Sequence, residues 1–186
     1  MNRTLKRVLI VFVLLAAALF VGFQYMQSST KKHSPEQRES LMVQGNKIDI
    51  FYSSPFVKNR KIFGGLVPYG EVWRTGANEA TTVTFGKAVV VGGKNLEPGT
   101  YSVWTIPNPD EWEVFLNSGD YGWGVSWGAK ASRDPSLDVV SLKVPVQILP
   151  EQVEQFNMSI QETPLALLIE WEHTAVEVPI AMSVAE

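Results

Sequence analysis

The 186-residue chain has no cysteine. That excludes disulfide staples, thiol nucleophiles, thiolate metal centres and a lipid anchor on cysteine. Histidine is almost as scarce, with only His33 and His173. A Ser-His-Asp triad would depend on His173 alone, and no Gly-x-Ser-x-Gly elbow accompanies it. Oxygen ligands are no better grouped. The best cluster, Asn108-Pro-Asp-Glu111, reads as a β-turn rather than a calcium loop. The pairs Gly64-Gly65 and Gly92-Gly93 precede no helix, so neither is a phosphate loop. Neither a metal nor a cofactor is expected. Positive charge also runs short after the first forty residues. From residue 41 onward, 10 Lys and Arg face 17 Asp and Glu, a net of −7, whereas the whole chain carries −3. An acidic domain lacks the basic footprint that nucleic acid requires and is repelled by anionic lipid headgroups.

What the chain does have at its start is an unbroken apolar run. Residues 8–23 read Val-Leu-Ile-Val-Phe-Val-Leu-Leu-Ala-Ala-Ala-Leu-Phe-Val-Gly-Phe, preceded by Arg3, Lys6 and Arg7. A basic segment followed by an apolar stretch marks a signal anchor or a secretory signal. Extended by Leu5, Tyr25 and Met26, the run is long enough to cross a hydrocarbon core of about 30 Å at roughly 1.5 Å per residue. No small-x-small cleavage site follows it, which favours residues 1–26 as a transmembrane signal anchor over a cleaved signal peptide. The basic residues before the run outweigh Lys31 and Lys32 after it, placing the N-terminus inside. The reading is a single-pass membrane protein whose C-terminal domain is extracytoplasmic; the alternative is secretion after cleavage. Residues 27–40 are polar and aperiodic, a tether. Residues 41–186 are enough for one domain with one core.

In that domain the hydrophobic period is two. Alternating or β-branched runs occur at residues 47–52, 80–85, 88–91, 100–106, 112–116, 138–148, 155–161, 165–172 and 175–181. Turn clusters rich in Gly, Pro and Asn separate them, and residues 150–154 offer at most one helical turn. The fold class expected is all-β: a single antiparallel β-sandwich, jelly-roll-like, carrying an N-terminal transmembrane helix. Trp112 and Trp171 share strand parity with Val114 and Ile169, so both are expected in the core.

Several blocks carry a resemblance. They are Ser54-Pro55, Gly65-Leu-Val-Pro-Tyr-Gly-Glu-Val-Trp-Arg-Thr-Gly-Ala-Asn-Glu-Ala-Thr81, Gly99-Thr-Tyr-Ser102 and Ile106-Pro107. Further on come Trp112-Glu-Val-Phe-Leu-Asn117, Trp123-Gly124 and Trp171-Glu-His-Thr-Ala-Val-Glu-Val-Pro-Ile180. Together they resemble the bacterial family known as domain of unknown function 2911, over most of residues 47–180. The resemblance implies an exported protein and a shared fold, and implies no activity.

The string around residues 69–79 is the candidate site, since long ordered loops are where function concentrates. Arg74 would offer a fork of donors to a carboxylate, phosphate or sulfate. Asn78 would bond a hydroxyl or amide, Glu79 would accept or act as base, and Tyr69 and Trp73 would supply stacking faces. Trp123 and Trp127, in a glycine-rich loop, are secondary aromatic candidates. The expected function is a non-catalytic binding module for a small polar ligand, a glycan or an envelope protein. One alternative is a glycan-directed or other hydrolase using Glu71 or Glu79 with Arg74. The other is a purely structural domain, in which the loop only braces the fold.

Overall fold

The computed structural model describes residues 2–126, 128 and 130–183. The chain forms two compact units, residues 1–33 and 34–186.

The first unit is one helix, α1 (Arg3–His33), apolar and long enough to cross a membrane. Its length of roughly 46 Å at about 1.5 Å per residue exceeds the hydrocarbon thickness. The helix carries Lys31, Lys32 and His33 in its last turn, where cations meet the negative end of the helix dipole. It stops before Ser34-Pro35, because proline disfavours helical backbone in the residue ahead of it.

The second unit is all-β. Its strands are β1 (Glu36–Val43), β2 (Asn46–Ser53), β3 (Thr82–Phe85), β4 (Val89–Val91), β5 (Lys94–Leu96), β6 (Gly99–Ile106), β7 (Glu111–Asn117), β8 (Asp138–Glu162) and β9 (Leu165–Met182). They hydrogen-bond in the order β1-β2-β3-β6-β7-β8-β9-β4-β5, and every neighbouring pair is antiparallel. The two long strands turn the sheet. The first part of β8 pairs with β7, its later part pairs with β9, and the end of β9 pairs with β4. The segment after β2 then meets the later part of β8. Phe56 bridges Gln155, and Ser54 Oγ donates to the Phe156 carbonyl.

Three differences from the expected layout have local causes. Residues 27–40, expected as a tether, are helical through His33 and enter β1 at Glu36. The strand is polar because only Val43 on it is buried, but Gln44 (φ +50°) and Gly45 (φ +74°) make the two-residue left-handed turn that holds β1 on β2. Gly92 and Gly93 make the same kind of turn between β4 and β5. Residues 138–161 form one strand instead of two. Pro150 lacks an N–H and breaks the ladder without ending the strand, so residues 149–152 bulge opposite the single residue His173. No helical turn forms at residues 150–154.

The main core lies on one face of the sheet. Ile48 and Ile50 (β2), Val83 and Phe85 (β3), Trp112 and Val114 (β7) and Trp171, Val176 and Val178 (β9) all contribute to it. Trp112 and Trp171 are each 1% exposed, as their parity required. A smaller cluster of Ala80, Trp104 and Phe115 occupies the opposite face of β6 and β7. The loop after β7 covers it: Tyr121 packs edge-on against Trp104 at 5.1 Å, and the Arg133 guanidinium lies 3.6 Å from the Phe115 ring centre while paired with Asp138.

Candidate functional site

The connection from β2 to β3, residues 54–81, contains no regular strand. Its backbone groups nevertheless need partners, and the neighbouring strands and side chains supply them. Trp73 and Thr105 exchange two backbone hydrogen bonds of 2.7 and 2.9 Å, which lays the loop along β6. Gly70 N donates to the Pro107 carbonyl at 2.9 Å and Ala77 N to Ser53 at 3.2 Å. Glu172 accepts from the Ile62 amide at 3.3 Å. The side chains Ile62, Phe63 and Val67 fill the core beneath.

The turn at residues 75–78 is conformationally costly. Thr75 (φ +54°) is β-branched and fully buried in a left-handed conformation that such residues avoid. Its hydroxyl meets that of Thr105 at 3.1 Å, and its carbonyl accepts from Thr81 Oγ1 at 2.6 Å. Gly76 is required: a Cβ there would sit 3.0 Å from the Ser53 carbonyl and 3.1 Å from Thr81 Oγ1. Strain of this kind, of order 1–3 kcal/mol, persists only where surrounding contacts enforce it and gathers at functional positions.

The turn sends successive side chains in different directions. The Trp73 ring enters the core, stacked on Trp171 (5.9 Å, 16°) and edge-on to Phe156 and Phe63. Its indole N–H donates to the Gly76 carbonyl at 2.9 Å. Asn78, 6% exposed, donates to the Ser34 carbonyl at 3.1 Å. Tyr69 stands apart, 41% exposed, with its ring beside Gly64. Glu71 is exposed.

Arg74 faces the loop after β7, with Glu79 near enough for its charge to act on the guanidinium. Glu79 Oε2 accepts from Ser53 Oγ at 3.2 Å. Arg74 Nη1 reaches the Trp123 carbonyl at 3.5 Å, the outer limit of a hydrogen bond, while its Nε is buried with no acceptor. Burial pushes the guanidinium pKa below the usual arginine range, and the nearby Glu79 charge opposes that shift. Gly124 lies against the arginine stem: a Cβ at that position would be 3.2 Å from Arg74 Cδ and 3.1 Å from Ala80 Cβ. Trp123 is half-buried, and Trp127 lies outside the described residues. Among the described residues, no group of three His, Asp or Glu side chains is arranged to hold a metal ion.

Sequence reasoning placed Arg74 and Glu79 on one loop and named Trp123 as a secondary candidate, but missed Ser53 and the packing of residues 121–124 on Arg74. Only a contact across the sheet joins them to the site, and no local spacing encodes it. Comparison with the curated proteins and with solved structures gave no match. A family model described as "Protein of unknown function (DUF2911)" matches residues 34–180, well over half of the chain, and the chain belongs to that family.

Proposed function

We propose that this protein is a membrane-anchored, extracytoplasmic β-domain of the bacterial cell envelope that binds a small polar ligand and performs no catalysis. In this reading α1 is a single-pass anchor in the inner membrane, with Arg3, Lys6 and Arg7 inside and residues 34–186 in the periplasm. The site is narrower than the whole string at residues 69–79. Trp73 and Asn78 brace the loop from within, leaving Arg74, Glu79 and the Trp123 strap as the ligand-facing part. The observation that carries the reading is Arg74. A guanidinium has five donors; here Nη1 makes one long hydrogen bond and the buried Nε makes none. Buried polar groups left this poorly matched call for a functional explanation.

Hydrolysis is the weaker reading. A hydrolytic carboxylate pair must flank one reacting centre, whereas Glu71 is exposed and Glu79 is turned to the Ser53 hydroxyl. A glycan or an envelope protein would meet the same surface through Trp123.

The test is a thermal-shift screen of the full chain in detergent against envelope glycans, peptides, nucleotides and small anions, run beside Arg74→Ala. A ligand at a hundred times its Kd stabilises the native state by about 2.7 kcal/mol. The expected result is a shift that Arg74→Ala abolishes while remaining folded. A screen in which every shift survives Arg74→Ala removes the site from this loop.

A further inference from the structure

We infer that the Nε–Nη2 edge of Arg74 receives a carboxylate carried by the ligand, and that the Tyr121–Gly124 strap lifts to admit it. This deepens the binding reading above and rests on it. The geometry begins with Nη1. Because that nitrogen is turned to the Trp123 carbonyl, the opposite side of the guanidinium presents its two parallel donors, Nε and Nη2, away from that bond. Nε has no protein acceptor. Two parallel N–H groups at fixed spacing match the two oxygens of a carboxylate, the pairing for which arginine is better suited than lysine.

Charge selects among oxyanions. The domain carries −7 from residue 41 onward, and Glu79 lies near enough to act on Arg74. A dianionic phosphate would meet more repulsion there than a planar monoanion. Glu79, one oxygen of which accepts from Ser53 Oγ, tempers the arginine charge.

Access requires movement, because Nε is buried. The cover is the strap at residues 121–124, which lies on the arginine stem through Gly124. Two backbone hydrogen bonds tie it to the domain, Ala80 N to Gly122 O at 2.9 Å and Ser132 N to Gly124 O at 3.0 Å, while Gly124 N to Tyr121 O at 3.0 Å closes a turn within it and the Tyr121 hydroxyl, bonded to Asn117 Oδ1 and Asp134 N, fixes its near end. Gly122 (φ +51°) and Gly124 (φ +72°) supply backbone freedom on either side of Trp123. Lifting the strap exposes Nε and breaks the weak Nη1 contact together, so ligand entry and strap opening are one event.

The experiment titrates the full chain in detergent, at constant ionic strength, with acetate, acetamide and inorganic phosphate. Tryptophan emission and thermal shift are the readouts. N-acetylalanine and glucuronate then distinguish a peptide terminus from a sugar acid as the source of the carboxylate. Acetate is expected to bind saturably, acetamide of the same shape not to bind, and phosphate to bind more weakly. Arg74→Lys keeps the charge but not the fork, and is expected to weaken acetate at least about tenfold. The acetate–acetamide comparison uses only the wild-type chain, so it stands even if the variant misfolds. Equal effects of acetate and acetamide, no acetate effect, or full acetate binding by folded Arg74→Lys each overturn the inference. A neutral ligand that needs Arg74 would overturn the carboxylate assignment alone and leave the binding module standing.

Discussion

Asn78 offers the sharpest test of how the loop is held. Its side chain is buried, its backbone is left-handed at φ +54°, and its Nδ2 donates to the Ser34 carbonyl at 3.1 Å. Asn78→Ala removes the donor and strands a buried carbonyl, which costs about 1–3 kcal/mol. It also places alanine in a conformation that asparagine tolerates better, adding roughly 1 kcal/mol. The combined loss of about 2–4 kcal/mol corresponds to a fall in Tm of roughly 5–15 °C for a domain of this size. Asn78→Gly isolates the two contributions, since it keeps the left-handed backbone free of strain and loses only the hydrogen bond. Asn78→Asp should be worse than alanine, because a carboxylate would then face the Ser34 carbonyl. Urea unfolding of the full chain, followed by tryptophan fluorescence, gives all three values on one scale. If Asn78→Ala lies within about 0.5 kcal/mol of wild type, or Asn78→Asp matches wild type, the hydrogen bond to Ser34 is not what holds this turn.

Two further outcomes follow from the packing. Trp73→Ala should cost about 3–5 kcal/mol, because the ring sits among Trp171, Phe156, Phe63 and Trp112 and its loss leaves a cavity; a folded variant of near wild-type stability in the same urea assay would remove Trp73 from the core. Burial raises the pKa of Tyr52, whose hydroxyl donates to Asn157 Oδ1 at 3.2 Å. Its contribution to stability is therefore complete below the unfolded value of 10.0 and lost as pH rises through the higher folded value. Unfolding midpoints measured from pH 9 to 11 should fall, and fall less steeply in Tyr52→Phe.

The parts of the fold legible in the sequence are those written in local pattern. The alternation in β2, β3, β6 and β7 gave an antiparallel sheet, and parity alone put Trp112 and Trp171 inside. β1 was illegible because a polar edge strand carries almost no hydrophobic alternation; only the Gln44-Gly45 turn signalled it. The continuity of β8 was hidden by Pro150, which ends a strand in most contexts but here only interrupts pairing with β9. Within the site, Arg74 and Glu79 could be named because they share a loop. The inward course of Trp73 could not, since it depends on Thr75 and Gly76 reversing the backbone and on aromatic partners nearly a hundred residues away in β8 and β9. The strap over Arg74 is likewise a product of tertiary packing on Trp104 and Phe115.

The central claim, that Arg74 holds its side-on edge for a ligand, is tested most directly at the arginine Nε–H itself. Selective nitrogen-15 labelling of the six arginines of the full chain in detergent, with Arg74→Lys to assign the signal, resolves that proton by NMR. The account predicts a slowly exchanging Arg74 resonance that moves saturably and downfield with acetate and stays fixed with acetamide. A resonance that exchanges as fast as those of the exposed arginines, or that acetate leaves unmoved, would contradict it.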